Sequence, residues 1–233
     1  MTIAVAMIRA TEDIEDKTMQ QPTAITCLFL DIGGVLLNDG WDHHARKRAA
    51  TKFKLKWTEI EKRHRQAFDT YEVGKLSLEE YLDLTVFYQK RTFTRAQFRE
   101  FIFAQSKPDL QMIKLVRNLK KQYGLRIVVV SNEAKELNAY RIRKFKLEEF
   151  VDSFISSCFV HIRKPDADIF RLSLDIAHVR PEQVVYIENT PMFVRVAEDL
   201  RIQSILHTDY VSTYAKLTSF GLLNDEGVIH ETS

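Results

Sequence analysis

The feature that most constrains this chain is a set of short apolar runs that lead into polar residues: ITCLFL at 25–30, RIVVVS at 126–131, VVYI at 184–187 and IQSIL at 202–206. They are apolar throughout instead of alternating. A strand with one face in water alternates, whereas a strand of a parallel sheet is covered by helices on both faces and reads as continuous. A weaker run, DSFISS at 152–157, adds a fifth candidate. Helical patterns separate the runs, so the reading is α/β, with a Rossmann-like parallel-sheet core. With 233 residues, 45% hydrophobic and 28% charged, the chain has material for one sizeable core and one smaller lobe. No apolar run approaches the roughly 18–20 residues a membrane span requires.

The smaller lobe has a natural location, because residues 41–107 carry no convincing strand. Helical periodicity appears near 42–55, 58–72, 77–90 and 94–104, with Thr58, Ser77 and Thr94 as N-caps and Gly74 as a breaker. Ser77 and Glu80 form a capping box. The sequence therefore predicts a helical insert at 41–107 in a core made of 24–40 and 108–233. The insert holds 15 basic and 9 acidic side chains; facing a pocket it would attract anionic ligands, although solvated helix faces carry the same charge.

The net charge of +2 gives no polyelectrolyte signature, so neither nucleic acid nor a membrane surface is expected as partner. Cys27 and Cys158 adjoin apolar runs without metal-ligand spacing and read as buried thiols of a reducing compartment. Residues 1–23 have no basic residue ahead of their apolar stretch and continue into an acidic segment, unlike a secretory leader. They read as an N-terminal extension outside the core, and the protein as cytoplasmic. The sequence sets no oligomeric state.

Chemistry concentrates where the runs end. ITCLFL runs into Asp31-Ile32-Gly33-Gly34, a carboxylate followed by glycines at the edge where open α/β sheets bind ligands and where backbone amides can approach an anion. A turn or cap aspartate would look the same in isolation. The second run ends in Ser131-Asn132, a hydroxyl and an amide suited to holding a phosphoryl oxygen. Lys164 precedes Pro165 at the predicted first turn of a helix. VVYI leads into Glu188-Asn189-Thr190-Pro191, again oxygen donors at a strand end.

In this chain order the four sites resemble the motifs of the haloacid dehalogenase-like (HAD) hydrolase superfamily, over roughly residues 25–207. FLDIGGVLL looks like its first motif, VVVSN its second, RKPDADIF its third and VVYIENTP a version of its fourth; the helical insert, with YEVGKLSLEEY, resembles the C1 cap. The resemblance implies Asp31 as a nucleophile that forms an aspartyl-phosphate, Ser131 as holder of the transferring oxygens, and Lys164 as neutraliser of charge. It implies substrate contacts from Gly33, Gly34 and Asn132, and Mg²⁺ held by the Asp31 carboxylate, the Gly33 carbonyl and the Asn189 side chain, with Glu188 a ligand or one step behind. The expected substrate is a small anionic phosphorylated metabolite.

Two departures qualify that expectation. Family phosphatases carry an acid/base aspartate two residues after the nucleophile, where this chain has Gly33; losing such a group costs about 10²–10⁴ in rate. Asp39, His43 and His44 are candidates to replace it, with the histidines also readable as surface residues of the first insert helix. Asn189 stands where an aspartate commonly binds the metal, which predicts weaker Mg²⁺ affinity. Both departures would also suit a catalytically impaired protein that binds a phosphometabolite or a protein partner. Dehalogenation of a haloacid needs no proton donor, but family dehalogenases use an aspartate three residues beyond that asparagine, and the residue here is Met192.

Overall fold

The structure, a computed structural model, describes residues 24–223. Five strands, β1 (Cys27–Leu30), β2 (Arg126–Ser131), β3 (Ser153–Ser156), β4 (Val184–Glu188) and β5 (Gln203–Leu206), form one parallel sheet in the order β3-β2-β1-β4-β5. All five predicted runs are strands: β2 has the predicted bounds, β4 runs one residue further to Glu188, and β1, β3 and β5 are trimmed by one or two residues. The extension predicted at 1–23 lies outside the described residues, and among those described no helix is long and apolar enough to cross a membrane.

Among the described residues, ten α-helices accompany the sheet: α1 (His43–Lys52), α2 (Trp57–Glu72), α3 (Leu78–Thr85), α4 (Arg95–Ala104), α5 (Leu110–Tyr123), α6 (Lys135–Lys144), α7 (Ser157–Val160), α8 (Asp168–Ala177), α9 (Pro191–Asp199) and α10 (Tyr210–Ser219). The pleat sorts the strand residues into two layers. Leu28, Leu30, Ile127, Val129, Val185 and Ile187 pack with α5 and α10, while Cys27, Phe29, Val128, Val130, Val184 and Tyr186 pack with α8 and α9. Because both faces are covered, every residue of β1 and β4 is buried. Both cysteines are free and buried, and burial pushes each thiol up to about 12.

Helices α1–α4 occupy the stretch between β1 and α5 and build a separate aromatic core. Tyr71 stacks on Tyr81 at 4.5 Å, and the Trp41 ring meets Phe98 edge-on at 5.9 Å. Caps explain the helix starts. The Ser77–Glu80 box is present as expected, and Thr94 pairs with Gln97 in a second box. Asp42 caps α1 through a 2.6 Å bond from the Ala45 amide. Thr58 does not cap α2: that helix begins one residue before it, at Trp57, on Lys56 with no side-chain cap. Helix α3 stops at Thr85, short of the predicted 90, because the backbone leaves the helical path at its C-cap Val86, where φ is −122° and ψ −50°.

Gly74 does more than break a helix. Its φ is +72°, and a Cβ there would stand 2.2 Å from the Cys158 carbonyl oxygen, so the end of α2 can rest on α7 only without a side chain. Three polar links fasten the same place: Ser157 Oγ donates to the Glu72 carbonyl at 2.8 Å, His161 Nδ1 lies 2.7 Å from the Val73 carbonyl, and Arg163 pairs with Asp69 and, at 2.8 Å, with Glu72.

Inside the insert, the Tyr81 hydroxyl accepts from Trp41 Nε1 at 3.0 Å and lies 2.7 Å from His64 Nδ1. Burial, with Arg46 nearby, lowers His64 to about 4, so it is neutral at pH 7. The unfolded chain takes up a proton near pH 6.5 that the folded chain refuses until about pH 4, so this contribution is intact above 6.5 and lost as the pH falls toward 4. In urea unfolding, the stability difference between wild type and His64→Gln should shrink by roughly 2–3 kcal/mol between pH 7 and pH 4.5; a difference that does not vary with pH contradicts the assignment.

Candidate active site

The carboxyl ends of β1, β2 and β4 meet beneath the helical insert. Sheet register sets the meeting: Leu30 pairs with Val129 and Ile187, so the next residues, Asp31 and Glu188, emerge side by side. The Asp31 amide extends the ladder by donating to the Ile187 carbonyl at 3.1 Å, and its Oδ1 accepts from the Ile32 amide at 2.8 Å. Ser131, fully buried at the end of β2, accepts from the same amide at 3.4 Å, and its hydroxyl favours the charged form of the Asp31 carboxyl.

Lys164 arrives from the loop between α7 and α8. It was expected in a first helical turn, but α8 begins only at Asp168. What holds Lys164 is Asn132, whose Oδ1 accepts from the Lys164 amide at 2.9 Å and whose Nδ2 donates to its carbonyl at 3.0 Å. So clasped, the side chain is entirely buried, with Nζ 3.2 Å from Asp31 Oδ1, 2.5 Å from Glu188 Oε2 and 3.1 Å from the Tyr186 hydroxyl. Tyr186 in turn donates to Glu188 Oε2, and the Phe193 ring lies 5.0 Å from Nζ.

One ammonium between two carboxylates leaves a negative charge uncompensated in a dry place. Burial pushes Asp31 up to about 6, helped by Glu188 and opposed by Lys164 and the Ser131 hydroxyl; at neutral pH it remains an anion. Next to it, a small cavity of about 50 Å³ separates core and insert, lined by Asp39, Trp41, Tyr71, Glu72, Asn132 and Glu133 among others. Burial pushes both Glu72 and Glu133 up to about 7, opposed by Arg163 and Arg141 respectively, and both feel the Asp31 charge. Larger depressions, such as the one at Thr26, Arg126 and Gln183, lie at the opposite end of the strands, away from these groups.

The donors here suit a hard divalent ion in kind. Asp31 offers an anionic oxygen, Gly33 a carbonyl and Asn189 an amide oxygen, a sparse set of the sort Mg²⁺ accepts while it keeps several waters. Asn189 lies against Gly34: with φ at +71°, a Cβ on Gly34 would come within 1.9 Å of Asn189 Nδ2. Glu188 is otherwise engaged. Its Oε1 accepts from the Thr190 amide at 2.8 Å and its Oε2 serves Lys164 and Tyr186, so direct ligation would break one of those bonds. Among the described residues, no group of three His, Cys, Asp or Glu side chains is arranged to hold a metal.

Of the sequence candidates, then, Asp31, Ser131, Lys164 and Glu188 form one hydrogen-bonded cluster. Gly33, Gly34 and Asn189 border it, and Asn132 fixes Lys164 with the amide expected to face a ligand. His43 is drawn elsewhere: its ring meets Trp57 at 4.8 Å and lies 3.8 Å from Glu61. His44 faces a shallow surface groove with Lys47 and Phe101. Sequence reasoning passed over Tyr186, Glu72, Glu133 and Arg141. Tyr186 was legible, since it lies two residues before Glu188 and so on the same face of β4; the other three reach the cavity only through the packing of insert on core.

Comparison with known proteins agrees with this geometry. The family described as haloacid dehalogenase-like hydrolase matches residues 25–198, well over half of the chain. A HAD family enzyme of Bacteroides thetaiotaomicron, solved with magnesium and inorganic phosphate, superposes with a TM-score of 0.67 at 20% identity, covering 82% of this chain and 100% of that one. A predicted HAD-like family hydrolase of Porphyromonas gingivalis gives 0.66 at 20% identity, covering 83% and 98%. Among curated proteins, bifunctional epoxide hydrolase 2 of Sus scrofa is 27% identical over 110 residues, 46% of this chain and 20% of that protein, so the match takes in about a fifth of the relative's length. Strand-end chemistry and family match coincide, and the chain belongs to the haloacid dehalogenase-like hydrolases.

Proposed function

We propose that the protein is a Mg²⁺-dependent phosphomonoester hydrolase for a small phosphorylated metabolite, working through an aspartyl-phosphate on Asp31. The observation that carries this reading is the 3.2 Å approach of the Lys164 ammonium to a buried, hydrogen-bonded Asp31. A phosphate ester brings two negative charges to a carboxylate that must attack it, and only fixed positive charge makes that encounter favourable. Lys164 supplies part of it and Mg²⁺, when bound by Asp31, Gly33 and Asn189, supplies the rest. The Bacteroides thetaiotaomicron enzyme, solved with magnesium and inorganic phosphate, supports the choice of ligand.

Each residue has a task in this reading. Asp31 attacks phosphorus, Ser131 and the Ile32 and Gly33 backbone steady the transferring oxygens, and Lys164 balances charge on both. Asn132 and Glu188 keep Lys164 in place. Residues 41–107 act as a cap: the small cavity below them excludes water from the intermediate, and a substrate enters when they lift from the core.

Purified protein should release phosphate from some member of a panel of small phosphate esters in Mg²⁺, and Asp31→Asn should abolish that release. Activity that survives EDTA contradicts the metal assignment; activity that survives Asp31→Asn contradicts the mechanism. Glu188→Gln should cut turnover by about 10- to 100-fold and lower Tm, because Lys164 loses one of its two carboxylate partners. Unchanged turnover and Tm would show that Lys164 needs no such support.

A further inference from the structure

We infer that Asp39 is the acid/base residue of this active site, standing in the space that the missing side chain of Gly33 leaves open. The inference rests on the hydrolase reading above. Gly33 lies two residues beyond the nucleophile, and a Cβ built on it would point at Asp39, 3.1 Å from Oδ1 and 3.7 Å from Cα. The backbone of Gly33 is not left-handed, so glycine is not required there by conformation. What glycine does provide is room for a carboxylate that comes from six residues further along the chain.

That carboxylate is on a fixed support. The Asn38 side chain accepts from the Lys107 amide at 2.8 Å and donates to the Gln105 carbonyl at 2.9 Å, and the Asn38 amide donates to the Lys107 carbonyl at 3.0 Å. Arg141, from α6 of the core, donates to the Asn38 carbonyl. The loop that carries Asp39 is therefore tied both to the returning end of the insert and to the core. Asp39 also lines the cavity beside Asn132. The other two acids there are in ion pairs, Glu72 with Arg163 at 2.8 Å and Glu133 with Arg141.

The chemistry balances around this one group. Asp31 forms a bond to phosphorus as the bond from phosphorus to the ester oxygen breaks, and the Asp39 carboxylic acid gives its proton to that oxygen, releasing the alcohol. Water then attacks the aspartyl-phosphate, its proton passes to the Asp39 carboxylate, and the bond from phosphorus to Asp31 breaks. Phosphate leaves, and both aspartates return to their starting states.

Leaving groups of different basicity test the role. Asp39→Asn should lower kcat for an alkyl phosphate by about 10²–10⁴-fold. With 2,4-dinitrophenyl phosphate, whose leaving group needs no proton, the same variant should release a burst of about one dinitrophenolate per protein molecule and then turn over slowly, since only the water step still lacks its base. Moving the carboxylate back, in the Gly33→Asp, Asp39→Ala double variant, should recover at least about tenfold of the alkyl phosphate activity lost in Asp39→Ala. Equal losses on both substrates without a burst, and no recovery in the double variant, would mark Asp39 as structural and overturn the inference. So would full activity of Asp39→Asn. Asp31→Asn runs in parallel: if it still turns over dinitrophenyl phosphate, or if the wild type does not, the hydrolase reading itself falls and takes this inference with it.

Discussion

A single buried ammonium organises this molecule. Lys164 has no contact with solvent and touches Asp31, just past the end of β1, and Tyr186 and Glu188 of β4. Two carboxylates brought together at the edge of an apolar sheet would repel one another and shed charge by taking up protons. With the ammonium between them, Asp31 can remain an anion near neutral pH although burial works against it. The arrangement also explains the environment of Asn132, whose amide accepts from and donates to the Lys164 backbone, and of Glu188, which serves the lysine with one oxygen and the turn into α9 with the other.

The helical insert meets this centre through charged groups as well as apolar ones. Its return segment is stitched to the outgoing one by Asn38, and Arg141 binds both that loop and Glu133 on the core side. At the far end of α2, Gly74 and Glu72 seat against α7 and Arg163. Between them lies a small cavity lined by Asp39, Glu72, Glu133 and Arg141, and the Glu72 and Glu133 carboxyls feel the Asp31 charge. On the proposed reading a phosphorylated ligand there would bring more negative charge, and a cation held by Asp31, Gly33 and Asn189 would offset it.

Much of this was legible in the sequence, and for a physical reason. Strands buried on both faces must be apolar throughout, so β1, β2 and β4 announced themselves, and the polar residues that end them had to cluster once the strands were parallel neighbours. Ser77 with Glu80 marked a helix start because capping is local. What was missed depends on contacts distant in sequence. Thr58 looked like a cap, yet packing of Trp57 against His43 goes with a start one residue earlier. Lys164 looked like part of a helix, yet Asn132 holds it in a loop. Asp39 was one candidate among three, and nothing in the spacing distinguished it from His43 or His44; only the space left by Gly33 does so. The basic excess of the insert named no surface, because most of those side chains point to solvent or pair with neighbouring acids such as Glu59, Glu61 and Glu79.

The central claim is that the carboxylate beside Lys164 becomes covalently phosphorylated. The most direct measurement is acid quenching of the protein within the first turnover on a ³²P-labelled phosphate ester, followed by peptide mapping. The account predicts stoichiometric, base-labile label confined to the peptide that contains Asp31, and none when Lys164 is replaced by methionine. Turnover without any labelled peptide, or label on any residue other than Asp31, would contradict it.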